Sequence, residues 1–459
     1  MTSVIEPERI CCLHDGPAND KGRYVLYWMQ AAQRSEHNPA LEVAVQRANE
    51  ASVPIVVCAV IIPDYPMASA RHFAFMLGGL GHALRSVERR GARVCLRVGD
   101  PGSIVESLAG DAVEVVLDRG YLRHQVDWYD RLASSIDVRV TQVEGEVVVP
   151  IDVVSDKAEY AARTVRPKIN NERDRFIVDL ETTAIDVTTT PQNTPSDVEL
   201  ERLSDAESIG RLLHDLDIDD DPQPVDDFVP GTAAARAAVA DLLDRIDSYD
   251  EDRNHYDEAN SSSRLSPYLH FGQISPVAVA HAAVERAGTG AEDFLEELIV
   301  RRELAVNFVA HRSDYDSYSA LPDWARTSLE AHEDDPRERT YTASELEAGE
   351  TDDDVWNLIM QEIREQGWVH NQLRMYWGKQ IVRWTNTPQH AYRTLLELND
   401  RYFLDGRDPN SYANVGWCFG LHDQGFQERE VSGKLRPFTT AALKRKGDLS
   451  GWVDERKPA

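Results

Sequence analysis

Two textures alternate along the first third of the chain. Arg23 to Trp28 is a short β-type run, and Val53 to Ile62 is a β-branched run that is apolar on both faces. Arg93 to Val98 and Val113 to Leu117 read as further strands. Between them Leu41 to Glu50, Ala70 to Arg90 and Gln125 to Ser134 read as helices, and Val138 to Val149 supplies a final pair of strand-like runs. Strands alternating with helices predict an α/β domain over residues 1–150, built on a doubly wound parallel sheet. No G-x-G-x-x-G follows the first strand and no G-x-x-x-x-G-K-[ST] occurs, so a standard dinucleotide or phosphate-loop site is unsupported.

Residues 151–230 change character and read as a partly acidic linker. Lys157 to Ile169 is compatible with packing on the sheet, whereas Asp215 to Pro224 combines dense charge with two prolines and reads as exposed. From Ala233 onward the texture is helical. Ala233–Ile246, Val277–Arg286, Ala291–Ala310, Val355–Glu365, Trp368–Trp384 and Gln389–Asn399 are separate helical candidates, with no internal repeat. The predicted architecture is an α/β domain joined by a long linker to an all-helical domain over 231–459.

The stretch Trp368 to Trp384 carries the densest candidate chemistry. At about 100° per residue, Trp368, Asn371, Arg374 and Met375 fall within roughly a 120° arc. An indole, an amide, a guanidinium and a thioether on one face suit a planar, anionic, redox-active ligand. Core aromatics beside a structural arginine are the competing reading. Trp377 and Trp384, seven residues apart, share a neighbouring face.

Composition narrows the classes. A chain of 459 residues with 42% hydrophobic content fills two or three cores, and no apolar run approaches a membrane span. The N-terminus lacks a basic start and an apolar region, so a cytoplasmic protein is expected. Cys11, Cys12, Cys58, Cys95 and Cys418 are too scattered for a disulfide framework or a zinc site. The net charge is −30, with 79 acidic residues against 41 Arg and only 8 Lys. Such an acid excess points to a high-salt cytoplasm, where a hydrated acidic surface keeps the chain soluble. At molar salt the Debye length is about 3 Å, so the negative charge does not exclude a DNA partner.

Three blocks of the helical half now matter together. The first runs Tyr249-Asp250-Glu251-Asp252-Arg253-Asn254 and then Ser262-Ser263-Arg264-Leu265-Ser266-Pro267-Tyr268; the second is Glu296-Glu297-Leu298-Ile299-Val300-Arg301-Arg302. The third joins Trp368–Trp384 to Leu398-Asn399-Asp400-Arg401-Tyr402-Phe403-Leu404-Asp405-Gly406-Arg407-Asp408. In this order the set resembles the photolyase and cryptochrome superfamily, and its details resemble the class II cyclobutane pyrimidine dimer photolyases. Val25 to Met29, Leu321 to Trp324, Trp356-Asn357 and His422-Asp423-Gln424-Gly425 extend the resemblance over nearly the whole chain outside the acidic stretch near 179–228.

The resemblance implies noncovalent FAD, fully reduced in the working state, and UV-damaged DNA as partner. The serine block could equally be a plain helix-cap cluster. By resemblance Ser262, Ser263, Leu265 and Ser266 hold the FAD phosphates, with Tyr249, Arg264, Arg302, Trp368, Asn371 and Gly406 around the cofactor. Arg374 and Asp405 match an ion pair beside the flavin ring, and Asn399 the amide facing its N5. Glu297 matches an acid that hydrogen-bonds a thymine carbonyl edge, which requires a protonated carboxyl in an apolar pocket. Trp417 and Met375 match residues packing on the flipped dimer, while Arg253 and Arg436 contact DNA. Trp377, Trp356 and Trp384 match an electron-transfer chain that photoreduces flavin. The implied reaction is light-driven electron donation from flavin to the dimer, splitting of the cyclobutane bonds and return of the electron, with no metal.

Three departures stand out. Asn371 occupies a position that is Gly in most of the class, the loop between Trp417 and His422 is one residue short, and Arg301 replaces an aromatic wall. A light-signalling cryptochrome-like receptor is the alternative. It is disfavoured because the chain ends soon after Lys444-Arg445-Lys446 without a long tail. A nucleotide-binding module on the α/β half is disfavoured by the missing phosphate loop. A deazaflavin antenna is compatible with the resemblance, and a monomer is the expected state.

Overall fold

The structure is a computed structural model and describes residues 5–17, 19–191, 193–258 and 261–457. Its N-terminal half holds one six-stranded sheet in the order β1-β6-β5-β2-β3-β4. The strands are β1 (Ile10–His14), β2 (Tyr24–Trp28), β3 (Ile55–Ile61), β4 (Arg93–Val98), β5 (Ala112–Asp118) and β6 (Arg139–Val143). All neighbours pair in parallel except β1, which runs antiparallel along β6. Every residue of β2 is buried, as a central parallel strand covered on both faces requires. Val25 and Tyr27 face a core shared with α1 (Pro39–Ala51) and α2 (Ala70–Arg89). Tyr24, Leu26 and Trp28 face α3 (Pro101–Ala109) and α4 (Arg123–Ser135).

The doubly wound parallel sheet is therefore as expected, with local corrections. β1 escapes periodicity because it is an edge strand with no clean alternation of buried and exposed positions. α3 was legible in principle: Asp100 caps it by accepting from Ser103 N at 2.9 Å, and Pro101 opens it. The expected pair of strands over Val138 to Val149 is one strand, β6. Beyond it the backbone is buried without a strand partner, and side chains take its polar groups. Arg9 donates to the carbonyls of Glu144, Val147 and Val148, and Glu303 accepts from the amides of Val148 and Val149.

The stretch between sheet and helical half is more structured than its charge suggests. It contains helices Ala162–Phe176 and Ala206–Asp215, and the second packs Ile209, Leu212 and Leu213 into the sheet-side core beside α2. The C-terminal half is helical throughout, and among the described residues no helix is long and apolar enough to cross a membrane.

Buried charges lock the two halves. Arg71 on α2 donates to Gln223 O at 2.9 Å, Ile363 O at 3.1 Å and Tyr402 O at 2.8 Å, and also to Arg364 O. It thereby closes the carbonyl ends of helices Asp354–Gln366 and Pro388–Tyr402. Arg34 donates to Glu146 at 2.6 Å and to Gly272 O at 3.0 Å across the same seam.

Candidate functional site

The helical half contains one cleft to which three separated blocks contribute. The first block enters as a short turn of helix, Tyr249–Asp252, followed by the serine turn leading into Ser266–His270. Arg264 sits in this turn with φ +52°. Its guanidinium lies over Phe228 at 4.5 Å and over Trp368 at 4.9 Å, within 3.5 Å of Asp227. Ser262 and Ser263 Oγ accept from the amides of Arg264 and Leu265 at 3.5 Å, long contacts that leave the hydroxyls able to serve a ligand. Tyr249 is buried against Phe294, and burial pushes its phenol up to about 12.

The second block differs from the expected continuous helix Ala291–Ala310. Helix Thr289–Leu295 passes into a π-helical turn, Glu296–Arg301, before resuming as Arg302–Ala310. π turns widen the backbone locally and recur at functional sites. This one carries Glu297 into the cleft. Glu297 does not sit in an apolar pocket, as its expected role required. Its carboxylate pairs with Arg253 at 2.8 Å, and the two side chains are about one-third exposed.

The third block corrects the helix on which the sequence argument turned. Gly367, at φ +67°, ends helix Asp354–Gln366, and the next helix runs Asn371–Trp384 with His370 accepting from Gln372 N at 3.1 Å. Trp368 therefore stands before the helix, so the single-face arc does not hold. It still lines the same cleft as Asn371 and Arg374. Met375 is buried in the helical core and does not line the cleft.

Arg374 is the charged centre of the inner end. Its Nη1 donates to Asp405 at 3.0 and 3.2 Å, its Nη2 donates to Asn399 Oδ1 at 2.6 Å, and its guanidinium lies 3.7 Å over the Phe403 ring. Beneath it three indoles lead outward. Trp377 packs on Phe403 at 5.8 Å, Trp356 stacks on Trp377 at 6.5 Å and 13°, and Trp384 meets Trp356 at 5.6 Å. Trp356 Nε1 donates to the Trp377 carbonyl at 2.9 Å, which fixes the inner pair. Trp384 is half-buried and touches Tyr341 near the surface.

Comparison with known proteins adds the decisive observation. A family model for DNA photolyase matches residues 25–187. A deoxyribodipyrimidine photo-lyase of Methanothermobacter thermautotrophicus is 41% identical over 452 residues, covering 98% of both chains. The chain belongs to the DNA photolyase family. The photo-lyase of Potorous tridactylus is 33% identical over 96% of this chain and 82% of its own. A class III photolyase from Agrobacterium tumefaciens shares the fold at TM-score 0.69 and 19% identity, covering 95% of this chain and 96% of that one.

Within this photolyase fold, eleven of the thirteen cofactor residues expected from sequence line the cleft: Tyr249, Ser262, Ser263, Arg264, Leu265, Ser266, Arg302, Trp368, Asn371, Arg374 and Asp405. Asn399 and Gly406 do not line it. Asn399 is buried behind Arg374, and Gly406 forms a tight turn whose Cβ position would meet Asn399 O and Phe403 O at 2.9 Å. Trp417 also lies off the cleft. It is half-buried between Lys379 Nζ at 5.3 Å and the Arg436 guanidinium at 5.7 Å. Arg436 is held by Asp423 at 2.8 and 2.9 Å, and burial pushes the Lys379 amine down to about 8.

Sequence reasoning missed the helix Pro409–Cys418, which brings Asn410, Ser411 and Asn414 to the cleft. Its signal was present: Asp408 caps it, Pro409 opens it, and 410, 414 and 417 recur at helical spacing. It also missed a second cavity between the sheet and the helical half, lined by Met29, Gln33, Tyr65, His72, Met76 and Arg407 among others. Leu269, His270, Arg302 and Asp408 line both spaces, so one layer of side chains divides them. In that layer burial raises the Asp408 carboxyl, but the hydrogen bond and charge of His270 and the charge of Arg302 outweigh it and leave the group below its ordinary range.

Proposed function

We propose that the chain is a light-dependent DNA-repair lyase of class II, which holds FAD in the helical cleft and splits cyclobutane pyrimidine dimers. The observation that carries this reading is the Arg374–Asp405–Asn399 network at the inner end of the cleft, with three indoles leading from it to the surface. The residues fit the cofactor. Arg264, Arg302 and Arg374 bring guanidinium groups to an anionic ligand, Trp368 gives a flat wall, and the serine turn offers hydroxyls. Reduced FAD, when bound, supplies the electron that opens the excited-state route to dimer splitting.

In this reading Arg374 offsets the negative charge of the reduced cofactor, and Asp405 holds the guanidinium in place. Trp384, Trp356 and Trp377 conduct electrons inward from the surface. At the mouth, Arg253 exchanges Glu297 for a lesion phosphate and frees that carboxyl for a thymine carbonyl edge. Trp417 packs against the extruded dimer, whose weakened pairing lowers the cost of flipping, while Met375 stays in the helical core and takes no part in it. Arg436 turns one charge toward the DNA backbone while its other edge keeps Asp423. The acid-rich composition fits a protein from a high-salt cytoplasm, where screening permits contact with DNA.

We assign the second cavity to a planar antenna chromophore, a deazaflavin. Three buried polar atoms on its lining, Gln33 Oε1, Glu146 Oε2 and Arg407 Nε, have no hydrogen-bond partner among the described residues, and the rest of the lining is largely apolar. Buried polar groups are otherwise almost always paired.

Two measurements test the main reading. Denatured protein should release FAD. At saturating dimer DNA, fixed salt and pre-reduced flavin, repair per absorbed photon should stand well above zero and drop clearly in Glu297→Ala. One anion-stabilising donor is worth about 2.7–4 kcal/mol, an upper bound here because back transfer competes. FAD release with zero wild-type repair would leave a light receptor, and an unchanged Glu297→Ala yield would remove only that residue's role.

A further inference from the structure

Of the side chains that line the helical cleft, only Asn371 and Asn414 are exposed, so these two mark its mouth. Both are amides, they come from different helices, and neither makes a side-chain hydrogen bond to another described residue. The charged groups around them are paired: Arg374 holds Asp405, and Arg253 holds Glu297. Asn414 stands on a fixed scaffold. At the start of helix Pro409–Cys418, Asp408 Oδ1 accepts from Asn410 N at 2.8 Å; at its end, Lys379 Nζ donates to Cys418 O at 2.6 Å. In between, Ser411 Oγ donates to Asp405 O at 2.9 Å and ties the helix to the Arg374–Asp405 pair. Asn410, Asn414 and Trp417 follow at spacings of four and three, so they share one face. The backbone is held while the Asn414 amide is left to turn.

We infer that Asn414 is a specificity-determining residue that reads the hydrogen-bonding edge of one pyrimidine of the extruded dimer. The inference rests on the proposed repair reading, in which Trp417, one turn along the same helix, packs against the lesion. A phosphate at this place would call for a guanidinium or an ammonium group. A pyrimidine edge is neutral and sets donors beside acceptors. Thymine places its N3–H between two carbonyls, and cytosine places its N3 acceptor beside an amino donor. An asparagine amide carries one carbonyl and one NH2 group, so it meets thymine with two hydrogen bonds and, turned over, meets cytosine with two. No described neighbour fixes the Asn414 amide, and both orientations are open to it. In intact duplex the same edges are taken by the partner strand, so only an extruded ring offers them. The residue therefore favours damaged over undamaged DNA without choosing between the two pyrimidines.

The test measures binding in the dark by the full-length flavoprotein, with a duplex that carries one thymine dimer. Asn414 is exposed in a helix, where alanine is the best-tolerated residue, so Asn414→Ala keeps the fold. The variant should bind dimer DNA about two- to tenfold more weakly, the range of one or two neutral hydrogen bonds. Its affinity for undamaged duplex and the steepness of its salt dependence should match wild type, because no phosphate contact is lost. N3-methylation of one thymine at a time then removes the donor from one edge or the other. For one of the two rings the methyl group should weaken wild-type binding and cost Asn414→Ala little, the coupling expected of two groups in contact. Equal methylation losses in both proteins for both rings overturn the inference. So does a shallower salt dependence in the variant, which would make Asn414 a backbone contact. A wild type that binds dimer DNA no better than undamaged DNA sinks the repair reading together with this inference; dimer-selective binding that Asn414→Ala leaves unchanged sinks the inference alone.

Discussion

The two cavities on either side of the Leu269, His270, Arg302 and Asp408 wall treat their polar groups in opposite ways. The helical cleft is paired in advance: Arg374 holds Asp405 and Asn399, Arg253 holds Glu297, and Asp408 faces His270 at 3.5 Å. Its charges are set before any ligand arrives, which is the condition under which fixed dipoles and charges act on a reaction without reorganising. The sheet-side cavity instead leaves Gln33, Glu146 and Arg407 each with an unanswered atom. On the proposed reading, one space is organised to act on its ligand and the other to be completed by one. The comparison separates chemistry from binding within a single chain.

The largest effect that could break it lies in the indole chain. Trp377→Phe should nearly abolish photoreduction of oxidised FAD while sparing repair with chemically reduced flavin. The substitution breaks no side-chain hydrogen bond, because Trp377 Nε1 has no partner among the described residues and Trp356 Nε1 donates to the Trp377 backbone carbonyl. The smaller ring leaves a cavity in the core, so melting of the variant is measured beside time-resolved absorption after a light pulse, which reads the electron step directly. Equal photoreduction in variant and wild type would return the three tryptophans to the ordinary core.

Next in size is the pairing inside the cleft. Arg374→Leu leaves Asp405 and Asn399 Oδ1 without their donor in a site where both pair members are below one-sixth exposed. Removing one partner of such a buried pair costs about 3–5 kcal/mol. The expected outcome is a protein that purifies with little or no FAD and melts earlier, whereas absorbance from the second cavity, read separately, persists. A variant that keeps its flavin would show that the pair is a structural tie and not part of the cofactor site.

How much of this was written in the sequence depends on the range of the interaction. β2 and β3 were legible because a central parallel strand must be apolar on both faces, and most helix spans differ from expectation by only a residue or two. β1 was not, since an edge strand is free of that demand. The run after β6 looked like a strand because it is just as apolar. Only Arg9 and Glu303, distant in the chain, reveal that its amides and carbonyls are taken by side chains. In the site, the ordered blocks led to the Arg374–Asp405 pair, but the other pairings were not legible. The break at Gly367 moved Trp368 off the helix, and Arg253 turned the expected apolar environment of Glu297 into an ion pair. Asn414 passed unnoticed because an asparagine in a helix reads as solvated until its place at the cleft mouth is seen.

The smallest predicted effect is also the one that decides what the sheet-side cavity is for. Gln33 is buried, its Nε2 donates to Gln30 O at 3.3 Å, and its Oε1 is unpaired on the cavity lining. Gln33→Met keeps the length and flexibility of the side chain and removes the orphan acceptor. If a chromophore with a donor fills the cavity, the variant loses one hydrogen bond, about 0.5–1.5 kcal/mol, and antenna occupancy at limiting chromophore falls severalfold. If nothing polar binds there, an unsatisfied buried acceptor has been traded for an apolar group. The ligand-free protein then gains about 1–3 kcal/mol, offset in part by the lost Nε2 bond to Gln30 O at about 0.5–1.5 kcal/mol, with no counterpart in any binding measurement. Thermal melting with and without added deazaflavin separates the cases by sign: the variant should gain in melting temperature without it and gain less than wild type when it is added. Equal ligand-induced shifts in both proteins would take Gln33 out of the cavity's chemistry, and no shift in either would take the deazaflavin out with it.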